Sequence, residues 1–215
     1  MQSDLNLPVD LGTTIMALKF DGGLLLAADS RTSQGSYVSN RMADKITPLI
    51  DDIYVCRSGS SADTQTVAGY ARYSLDFHSQ QLGKRPSVQT AAYILRDFAY
   101  QNKEVLSVSF ICAGLDDEKA RIFSIAQGGA IFEQKNYAAA GSGSTYVLTY
   151  LDEKYRPNMT ETEVRELAVR AVSLAMFRDN SSGGCIRLCV LKPNTKPERI
   201  FLQGDQVQSM FPVHR

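Results

Sequence analysis

Apolar residues along the chain follow two spacings, one typical of strands and one typical of helices. Short apolar runs bounded by turn residues predict strands over residues 14–20, 24–28, 45–50, 53–57, 107–114, 120–126, 130–133, 185–191 and 199–202. Apolar residues three and four positions apart predict helices over 60–82, from Ser87 onward, over 144–153 and from Thr160 onward. The elements therefore come in blocks: strands, two helices, strands, two helices, strands.

This block order indicates the fold class. Neighbouring strands joined by short turns, such as Asp21-Gly22-Gly23, favour antiparallel sheets with helices packed in pairs. Two such sheets face to face, each covered by a helix pair, form a four-layer α+β sandwich. Residues 1–12 contain a proline and little periodicity, so we interpret them as an extended leader before a single domain over residues 13–215.

The charge balance does not favour a nucleic-acid or membrane partner. Lys plus Arg and Asp plus Glu number 23 each, so the formal net charge is zero and there is no basic surplus. A near-neutral surface does permit permanent association with other subunits. No apolar run approaches the length of a bilayer span, and the acidic segment 1–12 lacks the basic and apolar regions of a secretory signal.

The cysteines do not indicate a metal site. Four stand apart from one another, at positions 56, 112, 185 and 189, without CxxC spacing. Only His78 and His214 accompany them, so we expect neither a bound metal nor any other cofactor. We interpret the four cysteines as reduced and mostly buried thiols of a reducing compartment.

The scarcity of histidine also limits the chemistry. A Ser-His-Asp hydrolase needs a histidine base, but His78 lies on one face of a predicted helix and His214 lies next to the C-terminus. The glycine-rich stretch 141–144 precedes a helix as a phosphate-binding loop would. However, it lacks the lysine of that motif, and Tyr146 occupies the third glycine position of a dinucleotide fingerprint, so nucleotide binding is not favoured.

A nucleophile that carries its own base needs no histidine. If Thr13 became the N-terminal residue, its α-amine, with an unperturbed pKa of about 8, could accept the proton of its own hydroxyl. Such a site needs a nearby cation, an anion that holds the cation, and backbone N–H groups for an oxyanion. Asp29 ends one predicted strand and Lys45 begins another, so their side chains could pair beneath Thr13. Gly59 ends the next strand and could present its N–H, but none of these residues is specific evidence alone.

Their joint order resembles that of proteasome β-type subunits. The motifs that carry the resemblance are GTTIMA at 12–17, AADSRT at 27–32, RMADKIT at 41–47, RSGSSADTQ at 57–65, AGSGST at 140–145 and RDNSSGG at 178–184. The resemblance extends from Gly12 to about Leu202. In that family the threonine after the processed glycine stands sixteen residues before an acid and thirty-two before a lysine. The same separations link Thr13 to Asp29 and Thr13 to Lys45.

The resemblance implies the four-layer αββα sandwich of N-terminal-nucleophile hydrolases and a threonine endopeptidase made as a zymogen. It implies that cleavage between Gly12 and Thr13 makes Thr13 the nucleophile and, through its amine, the base. Lys45 would be the cation near the hydroxyl, Asp29 the carboxylate that orients Lys45, and Gly59 the N–H donor to the oxyanion. Three further residues match the supporting positions that would orient the α-amine and a proton-shuttling water: Ser142, Asp179 and Ser182.

Within that family the chain most resembles the eukaryotic β1 type, whose members cleave after acidic residues. Arg57 matches the base of the primary specificity pocket, where a guanidinium can bind a carboxylate bidentately. The expected pocket-lining residues are Thr32, Ala43 and Thr47. Substrate would add as a strand through the backbone of Ser33, Gly59 and Ser61. Alternatively, Arg57 pairs with a neighbouring acid and has no selective role.

The resemblance further implies α and β neighbours in a stacked-ring core particle, unfolded polypeptide as substrate, and a location in the cytoplasm and nucleus. It leaves room for assembly chaperones as partners. Three alternatives stay open. The chain could be a non-catalytic β-ring subunit or a self-processed amidase of another N-terminal-nucleophile family, or Thr14 could be the new N-terminus.

Overall fold

A computed structural model describes residues 12–34 and 37–203 of the chain. The leader predicted over residues 1–12, apart from Gly12, lies outside the described part, as do residues 204–215 with His214. The strands are β1 Ile15–Phe20, β2 Gly23–Asp29, β3 Thr32–Gln34, β4 Tyr37–Asn40, β5 Ile46–Ile50, β6 Ile53–Gly59, β7 Val108–Asp116, β8 Lys119–Ile125, β9 Ile131–Gln134, β10 Tyr137–Ala140, β11 Ile186–Leu191 and β12 Glu198–Leu202. The helices are α1 Ser61–Leu82, α2 Val88–Gln101, α3 Ser144–Lys154 and α4 Glu161–Arg178.

Two five-stranded antiparallel sheets form the centre of the molecule. In the first sheet the strand order is β10-β1-β2-β11-β12, and in the second it is β5-β6-β7-β8-β9. Strands β3 and β4 make a separate two-stranded hairpin. In the first sheet Ile15 of β1 pairs with Ala28 of β2 on one side and with Ala140 of β10 on the other. This register places the start of β1 beside the end of β2.

Apolar residues pack in three layers around the sheets. One cluster lies between the first sheet and helices α3 and α4, a second between the second sheet and α1 and α2, and a third between the sheets. Strand β2 serves two layers: Leu25 belongs to the first cluster, whereas Leu24 and Leu26 belong to the third. This double burial explains its continuous apolar run, since each fully buried leucine contributes about 2 kcal/mol. The predicted four-layer αββα sandwich is therefore confirmed.

The predicted block order agrees with the observed elements, and the helix starts follow their capping residues. The side chains of Ser60 and Ser87 accept hydrogen bonds from backbone N–H groups at the starts of α1 and α2. Thr160 and Glu163 form the predicted capping box of α4. Three short strands, β3, β4 and β10, are absent from the prediction. Within the described part of the chain, none of the helices has the length and apolar character of a bilayer span.

Candidate active site

Strand ends from both sheets bring Thr13, Asp29 and Lys45 together. Thr13 lies two residues before β1, Asp29 ends the neighbouring β2, and Lys45 immediately precedes β5 of the second sheet. The cluster therefore lies at the mouth between the sheets. All three residues are nearly inaccessible to solvent, with exposed fractions of 5% for Thr13, 0% for Asp29 and 6% for Lys45.

The Lys45 ammonium links the carboxylate to the hydroxyl. Its Nζ donates to Asp29 Oδ1 over 2.7 Å and to Thr13 Oγ1 over 3.1 Å. Burial lowers the pKa of Lys45 below its usual value, and the Asp29 carboxylate offsets this only in part. Lys45 can therefore give up its proton more readily than a surface lysine. While protonated, it stabilises negative charge on the Thr13 oxygen.

The backbone fixes the Asp29 carboxylate. Asp29 Oδ1 accepts the Thr14 N–H over 2.9 Å, and Oδ2 accepts the N–H groups of Gly183 over 3.0 Å and Arg31 over 3.2 Å. Together with Lys45, these donors occupy both carboxylate oxygens. A buried charge satisfied in this way can hold Lys45 in one orientation.

The Thr13 hydroxyl lies against the preceding peptide bond. Thr13 Oγ1 donates to the Gly12 carbonyl oxygen over 2.6 Å and accepts from Lys45. Residue 12 has no room for a side chain, because a Cβ there would lie 1.9 Å from Ser181 Cβ and 2.3 Å from the Ser181 carbonyl oxygen. Glycine thus allows the bond before Thr13 to approach the cluster.

Hydroxyl groups around Asp179 support the Thr13 nitrogen. Ser142 Oγ and Ser182 Oγ each donate to Asp179 Oδ2 over 2.6 Å, and the Thr13 N–H donates to Ser142 Oγ over 3.1 Å. Since the Ser142 proton is directed to the carboxylate, its oxygen accepts from the Thr13 nitrogen. Thr14 Oγ1 lies 2.7 Å from Ser182 Oγ. The Ser182 proton likewise points to Asp179, so Thr14 donates in this contact.

A cavity of about 320 Å³ opens beside Thr13. Its lining includes Thr13, Lys45, Gly59 and Arg57 together with four of the predicted substrate-binding residues, namely Thr32, Ser33, Ala43 and Ser61. Thr47, the remaining predicted pocket residue, is not part of this lining and contacts Arg57 instead. Gly12, the residue before the predicted cleavage point, also lines the cavity. Lining residues that the sequence did not single out are Arg31, Ser39, Asn40, Asp44, Thr64 and Gln65.

Gly59 occupies a backbone conformation that other residues rarely adopt. Its φ is 106°, and a Cβ would lie 2.3 Å from the Ser107 carbonyl oxygen. The end of β6 can therefore turn at this point only because the residue is glycine. This turn lies in the wall of the cavity that also contains Thr13.

Arg57 is half-buried in the cavity wall and held by three oxygen atoms. Nε donates to Thr47 Oγ1 over 2.9 Å, one terminal nitrogen donates to Thr64 Oγ1 over 3.4 Å, and the other donates to the Asp44 carbonyl oxygen. Burial lowers the pKa of Arg57, although arginine stays protonated near neutral pH. A guanidinium has five N–H donors, so one remains on each terminal nitrogen after these three bonds. Among the described residues, no carboxylate lies within ion-pair distance of Arg57, and the carboxylate of the neighbouring Asp44 pairs with Arg199 instead.

Sequence reasoning considered Thr14 only as an alternative N-terminus and did not consider Thr64, and it missed the hydroxyl contacts by which these two residues hold Ser182 and Arg57. The doubled threonine after Gly12 and the position of Thr64 one helical turn after Ser60 carry no distinctive signal of their own. Among residues 12–34 and 37–203, no three His, Cys, Asp or Glu side chains are grouped as metal ligands would be.

Comparison with known proteins yields one family. A family model described as "Proteasome subunit" matches residues 9–191. The chain is 47% identical to "Proteasome subunit beta type-6" of Dictyostelium discoideum, over 93% of this chain and 92% of that protein. It is 44% identical to the Arabidopsis thaliana protein of the same name, over 97% and 89% of the two chains. It is 41% identical to "Proteasome subunit beta type-1" of Saccharomyces cerevisiae, over 94% and 93%.

Proposed function

The chain belongs to the proteasome β-subunit family, and from this premise we propose that it is a catalytic subunit: a threonine endopeptidase that removes its own leader and cleaves after acidic residues. As a 20S proteasome β subunit, it assembles with other proteasome subunits in a core particle. Unfolded polypeptide as the substrate, assembly chaperones as transient partners, and a location in the cytoplasm and nucleus belong to the same proposal.

The observation that carries the proposal is the contact of one hydroxyl with two groups. Thr13 Oγ1 bonds both the Lys45 ammonium and the carbonyl of the peptide bond before it. A purely structural subunit has no need of a buried Lys–Asp pair aimed at a threonine hydroxyl. Such a pair is costly to bury, since each ion loses several kcal/mol of hydration.

Leader removal begins with attack of Thr13 Oγ1 on the Gly12 carbonyl carbon. The precursor has no free amine at Thr13, so the base in this proposal is Lys45 Nζ, which contacts the hydroxyl. Burial lowers its pKa, so Lys45 can lose a proton to solvent, and the resulting neutral amine accepts the hydroxyl proton and becomes an ammonium again. The proton then passes to the Thr13 nitrogen as the peptide C–N bond breaks, which leaves Gly12 joined to Thr13 as an ester. Water hydrolyses the ester, releasing the Gly12 carboxylate and freeing both the hydroxyl and the α-amine.

Peptide hydrolysis then repeats this chemistry on substrate. The freed α-amine, held by Ser142, takes the hydroxyl proton, and Thr13 Oγ1 attacks the carbonyl of the bond to be cleaved. The Gly59 N–H stabilises the oxyanion in this proposal, and protonated Lys45 stabilises the developing charge. The amine donates the proton to the leaving nitrogen, and water hydrolyses the acyl-enzyme.

The preference for acidic residues depends on Arg57. The two N–H donors that remain on its terminal nitrogens suit the two oxygens of an Asp or Glu side chain. A basic side chain in the same pocket would face a fixed positive charge without compensation.

Thr13→Ala tests the catalytic proposal in the assembled core particle. We expect wild-type particles to contain this subunit with Thr13 as its first residue, and Thr13→Ala particles to keep residues 1–12, because the nucleophile is absent. Intact-mass measurement of the subunit and cleavage of peptides with an acidic residue at the cut would report both steps. Thr13→Ser, which retains a hydroxyl, should process and cleave. An intact leader in wild-type particles, or equal cleavage by wild type and Thr13→Ala, would favour the non-catalytic alternative.

Arg57→Met tests the specificity proposal in the same particle. Loss of a charge-assisted bidentate contact should lower kcat/KM for acidic peptides about 10- to 100-fold relative to apolar peptides, since such bonds contribute about 1.5–3 kcal/mol. Arg57→Lys keeps the charge but loses the fork, so it should fall between wild type and Arg57→Met. An unchanged ratio of acidic to apolar cleavage in Arg57→Met would contradict the assignment of Arg57.

A further inference from the structure

We propose that Arg199, in strand β12 of the first sheet, is a positioning residue for the specificity pocket, and that it acts on Arg57 through the segment 42–46. This inference rests on the proposed role of Arg57. Arg199 is not part of the cavity lining, so it does not meet substrate directly. We call residues 42–46, which precede and begin β5, the pocket segment.

Arg199 fixes the pocket segment at two points. One terminal nitrogen donates to the Ile46 carbonyl oxygen over 3.0 Å, and the other forms an ion pair with Asp44 Oδ2. The second oxygen of the same carboxylate, Asp44 Oδ1, accepts the Ile46 N–H over 3.0 Å. The Asp44 side chain is thus held between the arginine and the backbone two residues ahead. These contacts cross from the edge strand of the first sheet to the edge strand of the second.

The same Asp44 holds the pocket arginine. Its carbonyl oxygen accepts a hydrogen bond from a terminal nitrogen of Arg57, while Thr47 holds Arg57 Nε. The guanidinium is planar and rigid, so a displaced Asp44 carbonyl would rotate the donors that face the cavity. Displacements near 1 Å can cost about 100-fold in rate when they disturb a productive geometry.

A second arginine supports the other end of the pocket segment. Arg187 of β11 donates to the Ala43 carbonyl oxygen over 3.1 Å and to the Met42 carbonyl oxygen over 2.8 Å. These bonds of Arg187 reach neither Asp44 nor Ile46, whereas Arg199 bonds the carboxylate of Asp44, the residue whose carbonyl oxygen holds Arg57. Arg187 and Arg199 thus make four contacts with the pocket segment. Strands β11 and β12 therefore position one wall of the cavity, although no residue of either strand lines it.

The Arg199–Asp44 ion pair contributes little to the stability of the fold. Their side chains are 34% and 45% exposed. Ion pairs this accessible typically contribute about 0–1 kcal/mol. A contact of such small energetic value can still define position, because the Asp44 carboxylate also bonds the Ile46 N–H and its backbone also bonds Arg57.

Arg199→Ala in the assembled core particle tests the proposal by its effect on two peptides, one with an acidic and one with an apolar residue at the cut. We expect kcat/KM for the acidic peptide to fall about tenfold, mainly through a higher KM, because binding of the carboxylate is misaligned. The apolar peptide should change less than twofold. Arg199→Lys can keep the Asp44 ion pair but cannot bond Asp44 and Ile46 as a fork, so it should give a smaller loss.

Glu198→Gln is the matched control. It removes the neighbouring ion pair between β12 and Arg165 of α4 and leaves the pocket segment untouched. We expect wild-type ratios of acidic to apolar cleavage for this variant. Hydrogen–deuterium exchange supplies a readout that does not depend on catalysis: the Ile46 amide, whose acceptor is Asp44, should exchange faster in Arg199→Ala than in wild type or Glu198→Gln.

Arg57→Met in the same series separates the two proposals. Suppose that Arg57→Met lowers the ratio of acidic to apolar cleavage, but that Arg199→Ala leaves this ratio unchanged or slows both peptides equally. The positioning role of Arg199 is then overturned, and the role of Arg57 stands. Unchanged exchange of the Ile46 amide in Arg199→Ala also overturns it. If Arg57→Met leaves the ratio unchanged, the specificity proposal fails and the positioning role fails with it, whereas Thr13→Ala still decides catalysis.

Discussion

At the scale of single residues, Thr14 connects both halves of the proposed catalytic cluster. Its N–H donates to Asp29, which orients Lys45, and its hydroxyl donates to Ser182, which donates in turn to Asp179. The residue is fully buried, so water cannot replace either contact. The position after the nucleophile is therefore defined by hydrogen bonding as well as by its place at the start of β1.

Thr14→Val removes the hydroxyl and keeps the shape of the side chain. Ser182 then loses a buried donor, so we expect a loss of about 1–2 kcal/mol in stability and slower leader removal as the Asp179 network loosens. Urea unfolding of the precursor would give the stability, and intact-mass measurement over time during assembly would give the processing rate. Thr14→Ser retains the hydroxyl and should process at nearly the wild-type rate. Equal processing by Thr14→Val and wild type would show that this contact does not support the cluster.

The sequence indicated the three central residues of the site better than the supporting threonines Thr14 and Thr64. The separations of Asp29 and Lys45 from Thr13 are distinctive, and the structure brings these three side chains together. Thr14 and Thr64 act through one hydroxyl each, and threonine is common in strands and at helix starts for reasons unrelated to any site. Their contacts depend on distances across the fold, which a single sequence does not contain.

At the scale of elements, the content of large apolar residues separates the strands that could be predicted from those that could not. Strand β2 is apolar and buried throughout, whereas β4 is mostly exposed and consists of the polar-rich sequence YVSN. Strand β10, with the sequence YAAA, consists largely of alanine, which has weak strand propensity. Its pairing with β1 gives it its structure. Large apolar residues therefore predict strands, including the edge strands β9 and β12, whereas strands without such residues, such as β10, depend on tertiary pairing.

The central residues of the site lie at the ends of strands and not in their middles. Thr13, Asp29 and Gly59 lie at ends of strands, and the register of β1 on β2 places Thr13 beside Asp29. The sequence predicted these strands to within about two residues, but the meeting of β2 with β5 depends on how the two sheets stack. That stacking is set by the side chains of the inter-sheet core, such as Ile46 and Leu26.

At the scale of the whole molecule, the central layers contain thiols whose ionisation is disfavoured by burial while the chain is folded. All four cysteines are free, and Cys56, Cys112 and Cys189 are fully buried. Burial raises the pKa of the Cys56 and Cys112 thiols well above the usual range and raises that of Cys189 to about 11. In the unfolded chain these thiols lose their protons above a pH of about 8.5. The unfolded state then binds fewer protons than the folded state, so stability falls as the pH rises.

Replacing two of these thiols should reduce the loss of stability that accompanies a rise in pH. Between about pH 7.5 and about pH 9.5 we expect the free energy of unfolding of wild type to fall by about 3 kcal/mol more than that of Cys56→Ala/Cys112→Ala, near 1.4 kcal/mol for each thiol. Urea unfolding of the precursor under reducing conditions, followed by circular dichroism, measures this difference. The lowered pKa of Lys45 acts in the opposite direction, but Lys45 is present in both chains and cancels in the comparison. Val55→Ala controls for lost core volume in β6: it should lower stability at every pH and keep the wild-type slope. Parallel pH profiles for wild type and the double cysteine variant would show that the buried thiols do not determine the alkaline limit of the fold.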